Sequence, residues 1–206
     1  MLDLFQDTAN RVAIDNLLHR WGHARDSEDL AVLDACFHPD ARIHLSWIYG
    51  PATEFVQGSR LMAAGRRYGA HMKHITASPW IELRGARAVC RSNAFIIIRD
   101  CVAGHWFDLE SHMRFFDILE LRDSHWHIVE LTAVYDKDRI DPVSHDPSLT
   151  PPWAAMRAAV PDPVMHVRWW LASRGLQPRD DVACVYSPEE TALRMHCLAW
   201  LEASQV

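Results

Sequence analysis

The chain changes from a helical to a strand-like periodicity near residue 71, and this change constrains its fold more than any other feature. Before that point apolar residues recur at helical spacing, as in one stripe over residues 8–25 that comprises Ile14, Leu17, Leu18, Trp21 and Ala24. Beyond it, apolar and polar residues alternate through segments 74–85, 86–100, 104–123 and 124–136. Because their connections are short and turn-like, these segments are expected to pair as an antiparallel meander.

Further helices flank this run of strands on both sides. Ser27 is expected to cap a short second helix, a strand is expected over residues 38–47, and another helix over residues 59–68. After a Pro-rich linker at residues 141–152, helical segments follow, one ending at Gly175 and one capped by Ser187. The order indicates an α+β fold: a curved antiparallel sheet wrapped around three N-terminal helices as an open cone, with a helical tail.

Composition excludes several classes of partner. The 206 residues carry a net charge of −6 with scattered basic residues, so no nucleic-acid partner is expected. No apolar run is long enough to span a bilayer and no secretory signal is evident, so no membrane partner is expected. Five cysteines without a CxxC pair indicate reduced thiols and a cytoplasmic location. An exposed sheet face and the tail suggest a homodimer or homotrimer.

Two residues carry the main candidate chemistry. Asp26 lies at a helix junction, where an acid ordinarily caps a helix or faces water. His74 begins a strand of alternating pattern and is expected to point into the cone. If a carboxylate reaches one ring nitrogen of a histidine, the other nitrogen becomes a general base of raised basicity near neutral pH. Such a pair removes a proton without a cofactor.

Two further polar patterns leave alternatives open. Asp108, Glu110, His112 and Arg114 share one face of a strand, which is either solvent-exposed or the polar wall of a pocket. His19, His23 and Asp26 share a helical face, with His71 and His74 forming a second pair, so a metal enzyme is a minor alternative. The sequence contains no Gly-rich phosphate loop and no GxSxG motif. We therefore expect neither a cofactor nor a metal.

Three segments resemble the SnoaL-like branch of the NTF2-like superfamily, which includes ketosteroid isomerase and scytalone dehydratase. They are residues 13–43, 74–83 and 115–143, in which Trp21 and the "DSED" stretch match the dehydratase pattern best. The resemblance implies a SnoaL/NTF2-like domain over residues 1–143, and a linker with a helical extension over residues 144–206. It also implies that Asp26 pairs with His74 and that His112 is a second pocket histidine. Arg25 and Leu45 stand where the dehydratase keeps tyrosines.

The resemblance and the residues together lead to one functional prediction. We expect a cofactor-independent lyase acting on a small hydroxylated aromatic compound by a dehydratase-type or aldol-type, formaldehyde-releasing elimination. His74, oriented by Asp26, is the expected base, and His112 or a pocket hydroxyl assists the leaving group or stabilises negative charge. The expected substrate-binding residues are Trp21, Arg25, Trp47, Tyr49, Glu110, Arg114 and Tyr135. The alternatives are an isomerase or cyclase with the same pair, and a non-catalytic small-molecule-binding or assembly protein.

Overall fold

The structure is a computed structural model that describes residues 4–144, 150, 152–156 and 162–203. The helices and the long strands follow the predicted order, but the single strand predicted over residues 74–85 is divided into two, and two short strands were not predicted. The helices are α1 (Leu4–Ser27), α2 (Leu30–Asp34), α3 (Ala52–Ala64), α4 (Met165–Ser173) and α5 (Pro188–Glu202). The strands are β1 (Phe37–Leu45), β2 (Ile48–Pro51), β3 (His71–Thr76), β4 (Trp80–Arg84), β5 (Arg87–Val102), β6 (His105–Arg122), β7 (His125–Pro142) and β8 (Ala183–Cys184).

The strands form one sheet with the order β2-β1-β7-β6-β5-β3, in which β4 also pairs with β5 and β8 with β7. The predicted antiparallel meander is confirmed for β5, β6 and β7, and the two ladders that join them are long. Register shifts in the β6–β7 ladder lie at His112/Met113 and Ile118/Leu119, as expected of a strongly curved sheet. The mixed α+β cone fold is therefore confirmed.

Two strand pairs differ from a purely antiparallel sheet. Strand β1 pairs with β7 in parallel, and β8 also lies parallel to β7. No tight turn joins the members of either pair, so the rule that short connections give antiparallel neighbours does not apply to them. The parallel pairs arise because β1 precedes the meander and β8 follows it, each joining β7 from a distant part of the chain.

The helix junction near residue 27 also differs from the prediction. Helix α1 continues through Ser27, whose Oγ donates to the carbonyl of His23 at 2.8 Å instead of capping the next helix. Asp29 caps α2 and accepts a hydrogen bond from the backbone N–H of Val32 at 3.2 Å. A Ser hydroxyl can bond a carbonyl one turn back as readily as a free N–H, and here the longer helix prevails.

The C-terminal extension packs closely on the sheet. The carboxylate of Asp138, on β7, accepts hydrogen bonds from the backbone N–H groups of His166 and Val167 at 2.8 and 2.9 Å, which fixes the start of α4. Helix α5 lies against the outer face of the sheet, where Arg114 pairs with Glu190 at 2.6 Å. No helix in the described part of the chain is long and apolar enough to cross a membrane.

Candidate active site

A cavity lies on the concave side of the sheet; about 570 Å³ is free of protein atoms when the open mouth is counted, and about 50 Å³ of it can hold the centre of a water molecule. Its walls come from α1, α3, the inner face of the sheet and α4. The lining is mainly apolar, with a few polar groups among aromatic and aliphatic side chains, which is typical of small-molecule sites. The lining residues are Trp21, Arg25, Leu45, Ser46, Trp47, Phe55, Met62, Met72, His74, Ile96, Ile98, Ser111, Met113, Phe115, Tyr135, Val167, Trp170 and Leu171.

Asp26 and His74 meet at the wall of this cavity. One carboxylate oxygen of Asp26 lies 2.6 Å from His74 Nδ1, and the other accepts the backbone N–H of His74 at 2.8 Å. Both side chains are only 8% exposed. Because a carboxylate only accepts hydrogen bonds, Nδ1 carries the proton and Nε2 keeps its lone pair. Trp21 packs its ring edgewise against the imidazole at 5.6 Å and restricts its orientation.

The local fold explains why these two residues meet. Asp26 occupies the last turn of α1, and the extension of that helix through Ser27 carries the carboxylate to the sheet edge. Strand β3 is the edge strand at this end of the sheet, so the N–H of His74 has no strand partner there. The Asp26 carboxylate accepts hydrogen bonds from both that N–H and the ring Nδ1–H, so it fixes the backbone and the side chain of His74 at the same time.

Burial decides the protonation state of His74. Loss of water disfavours the charged imidazolium and lowers the pKa of His74 below its ordinary value, although the Asp26 carboxylate acts in the opposite direction. This result corrects the expectation of raised basicity, because the effect of burial exceeds that of the carboxylate. His74 is therefore neutral at neutral pH, the state that a general base requires.

Hydroxyl groups lie on the sheet side of the same cavity. Tyr135, on β7, is 3% exposed and its Oη accepts the backbone N–H of Ser46 at 2.9 Å. Burial raises the pKa of Tyr135, so its hydroxyl stays protonated and can donate to a ligand. Ser111 Oγ is buried and has no hydrogen-bond partner among the described residues. The sequence interpretation missed Ser46 and Ser111, although alternation places Ser111 on the same strand face as Leu109 and Met113.

Four predicted site residues lie outside the cavity, contrary to the prediction. His112, Glu110 and Arg114 occupy the outer face of β6, because Leu109, Ser111 and Met113 take the inner one. The His112 ring stacks on Phe95 at 5.6 Å, and Arg114 pairs with Asp136 and Glu190.

Tyr49 is 53% exposed in β2, whose alternation buries Ile48 and turns Tyr49 outward. Its ring lies beneath the guanidinium groups of Arg42 and Arg179, at 5.5 and 5.0 Å. The other four predicted binding residues, Trp21, Arg25, Trp47 and Tyr135, all line the cavity.

The minor metal alternative gains no support from the geometry. Within the described ranges no three His, Cys, Asp or Glu side chains cluster as a metal site requires. His19 bonds the carbonyl of Asp15 one turn away, and His23 is exposed. Asp26 is directed to His74 and away from the histidine pair on its own helix.

The comparisons with known proteins agree with this architecture. Residues 6–132 match the family model described as SnoaL-like domain. The chain belongs to this SnoaL-like family. Two similar proteins from Fusarium vanettenii, a PEP2-like protein and Pea pathogenicity protein 2, are each 31% identical over 137 residues, or 65% of this chain. The SnoaL-like chain spans only 58% of the length of either relative.

Solved structures show the same fold at low sequence identity. A candidate scytalone dehydratase from Novosphingobium aromaticivorans aligns with a TM-score of 0.56 at 14% identity, over 65% of this chain and 88% of that one. A hexachlorocyclohexane dehydrochlorinase of type 2 gives a TM-score of 0.56 at 14% identity, over 73% of this chain and 99% of that one. A Mycobacterium tuberculosis protein of unknown function, solved as an Asp-to-Asn variant, gives a TM-score of 0.58 at 19% identity, over 86% of this chain and 97% of that one.

Proposed function

We propose that this SnoaL-like protein is a cofactor-independent lyase that eliminates water from a small hydroxylated aromatic compound. The observation that carries the proposal is the 2.6 Å contact between the Asp26 carboxylate and His74 Nδ1 at the wall of an apolar cavity. That contact leaves an unprotonated Nε2 on a neutral, fixed imidazole, which is the arrangement a general base needs. The family resemblance to a dehydratase and a dehydrochlorinase agrees with elimination chemistry.

The proposed step uses one base for both proton transfers. His74 Nε2 takes a proton from the carbon next to an electron-withdrawing carbonyl group. The electron pair of that C–H bond forms a carbon–carbon double bond as the C–O bond to the neighbouring hydroxyl breaks. The imidazolium, stabilised by Asp26, then gives its proton to the departing hydroxide, which leaves as water. Substrate is thereby converted to an unsaturated product plus water, and the protein returns to its starting state.

The cavity hydroxyls supply the second element of the proposal. As the proton leaves carbon, negative charge develops on the carbonyl oxygen of the substrate. A donor placed beforehand in a water-poor cavity stabilises that charge strongly. The protonated Tyr135 hydroxyl is the proposed donor, and the unpartnered Ser111 hydroxyl is a second one. These groups take the assisting role that the sequence prediction gave to either His112 or a pocket hydroxyl.

A β-hydroxy aryl ketone distinguishes the candidate reactions in one assay. The protein is incubated with 3-hydroxy-1-phenylpropan-1-one and its ring-substituted analogues, ring carboxylates included, and the products are identified by NMR. Dehydration gives the aryl vinyl ketone and is the expected result. Acetophenone and formaldehyde would indicate the aldol-type reaction, which begins with removal of the hydroxyl proton. If no analogue is converted although several raise the Tm, the lyase proposal fails and a binding protein is favoured.

A further inference from the structure

Arg25 places a positive charge inside an apolar cavity. The residue is 3% exposed, and its side chain lines the cavity wall near His74. Among the described residues, the only hydrogen bond of the Arg25 side chain runs from Nη2 to the sulfur of Met62, at 3.8 Å. The guanidinium also lies 5.9 Å from the centre of the Phe55 ring. Neither a thioether nor a phenyl face neutralises a charge, so the guanidinium is buried without an anionic partner.

The neighbouring carboxylates are already engaged elsewhere. Asp26 follows Arg25 directly in the chain, but its two oxygens bind the ring and the backbone N–H of His74. Glu28 pairs with Arg66 at 2.9 Å. Burial, aided by the charge of Arg66, lowers the pKa of Arg25 to about 10, so the side chain still carries its charge at neutral pH. The charges of Asp26 and Glu28 act in the opposite direction, but neither carboxylate is hydrogen-bonded to Arg25, so the guanidinium in the cavity has no direct anionic partner among the described residues.

Such an arrangement costs stability unless something compensates for it. Removing a charge from water without a counter-ion is expensive, and natural proteins keep buried charges paired or bound to ligands. A guanidinium presents a planar fork of N–H donors that matches a carboxylate in two parallel hydrogen bonds. A ligand carboxylate in the cavity would supply the missing partner.

We propose that Arg25 binds a carboxylate group of the ligand, so the substrate class is an aromatic carboxylate. The assignment of this ligand as substrate rests on the proposed lyase function, whereas the binding does not. With the carboxylate held at Arg25, the ring contacts the aromatic and aliphatic walls, among them Trp47 and Phe55. The reacting carbon then lies on the side of His74. Arg25 therefore sets specificity, and Asp26 and His74 perform the chemistry.

Matched acid and amide probes test this assignment without knowledge of the substrate. Binding of naphthalene-2-carboxylate and of naphthalene-2-carboxamide is measured by quenching of the cavity tryptophans and by the shift in Tm. The wild-type protein is expected to bind the carboxylate roughly 10- to 100-fold more tightly than the amide, as for hydrogen bonds between charged groups. Arg25→Met is expected to abolish that preference, and the exposed α3 residue Arg60 supplies the control, Arg60→Met.

Two further variants separate the possible outcomes. Asp26→Asn is expected to keep the preference for the carboxylate even though it removes the proposed catalytic pair, so failure of one proposal does not imply failure of the other. Arg25→Met is expected to keep or raise the Tm of the ligand-free protein, because it removes an unpaired buried charge. Equal binding of both probes by the wild type, or an undiminished preference in Arg25→Met, would overturn the assignment; a lower Tm in Arg25→Met would then give Arg25 a structural role.

Discussion

His74→Ala is expected to lower kcat/KM by about 10²- to 10⁴-fold, because it removes the group that accepts the proton from carbon.

Asp26→Asn is expected to lower kcat/KM by up to about 10⁴-fold, since an amide can hold the imidazole in the wrong tautomer and does not stabilise the imidazolium. Both variants are measured on whichever β-hydroxy aryl ketone the wild type converts. Circular dichroism and the Tm report whether each variant remains folded.

His112→Ala is the matched control for the loss of the base. This histidine is also on the sheet, but it stacks on Phe95 on the outer face and does not contact the cavity. We expect its turnover to stay within about twofold of the wild-type value, as for surface substitutions away from a site. If His74→Ala remained folded with wild-type turnover, the Asp26–His74 pair would have no part in the reaction.

Tyr135→Phe is expected to lower kcat by about 10²- to 10³-fold, the loss observed when one donor to a developing oxyanion is removed. Only the hydroxyl group is lost, so the shape of the cavity is retained. The same substitution leaves the backbone N–H of Ser46 without its acceptor, which costs about 1–3 kcal/mol of unfolding free energy. Kinetics and urea denaturation measure the two effects separately.

Tyr49→Phe is the control for the tyrosine substitution. Tyr49 lies outside the cavity and is 53% exposed, so the turnover and the stability of Tyr49→Phe are expected to remain near the wild-type values. A kcat effect that is equal in the two variants would show that the Tyr135 hydroxyl does not act on the substrate. A stability loss in Tyr135→Phe with unchanged kcat would assign that hydroxyl to the support of Ser46 alone.

Periodicity predicted the cone and its central meander because side-chain alternation and short turns are local properties of the sequence. The same alternation grouped Asp108, Glu110, His112 and Arg114 correctly on one face of β6. It did not determine whether that face lines the cavity, since this depends on which face packs against α1 and α3. The apolar residues at the alternating positions were the stronger signal, and they form the inner face.

Long-range packing produced the features that the sequence did not reveal. Helix α4 contributes Val167, Trp170 and Leu171 to the cavity, although it lies more than 100 residues from α1 in the chain. An arginine near the end of a helix is ordinarily solvated, and burial of Arg25 follows only once α3 and the sheet edge pack around it. Likewise, the lowered pKa of His74 depends on the extent of its burial, which local sequence does not specify.

The state of the His74 ring in the ligand-free protein tests the central claim most directly. Long-range ¹H–¹⁵N NMR reports the protonation of each ring nitrogen, and a titration from pH 8 to pH 4 follows it without any substrate. The geometry predicts a neutral ring at pH 7 with the proton on Nδ1 and none on Nε2. Because burial lowers the pKa, the imidazolium should form only below the ordinary midpoint of about pH 6.5. A proton on Nε2 at pH 7, in either the neutral or the charged ring, would contradict the role of His74 as a base facing the cavity.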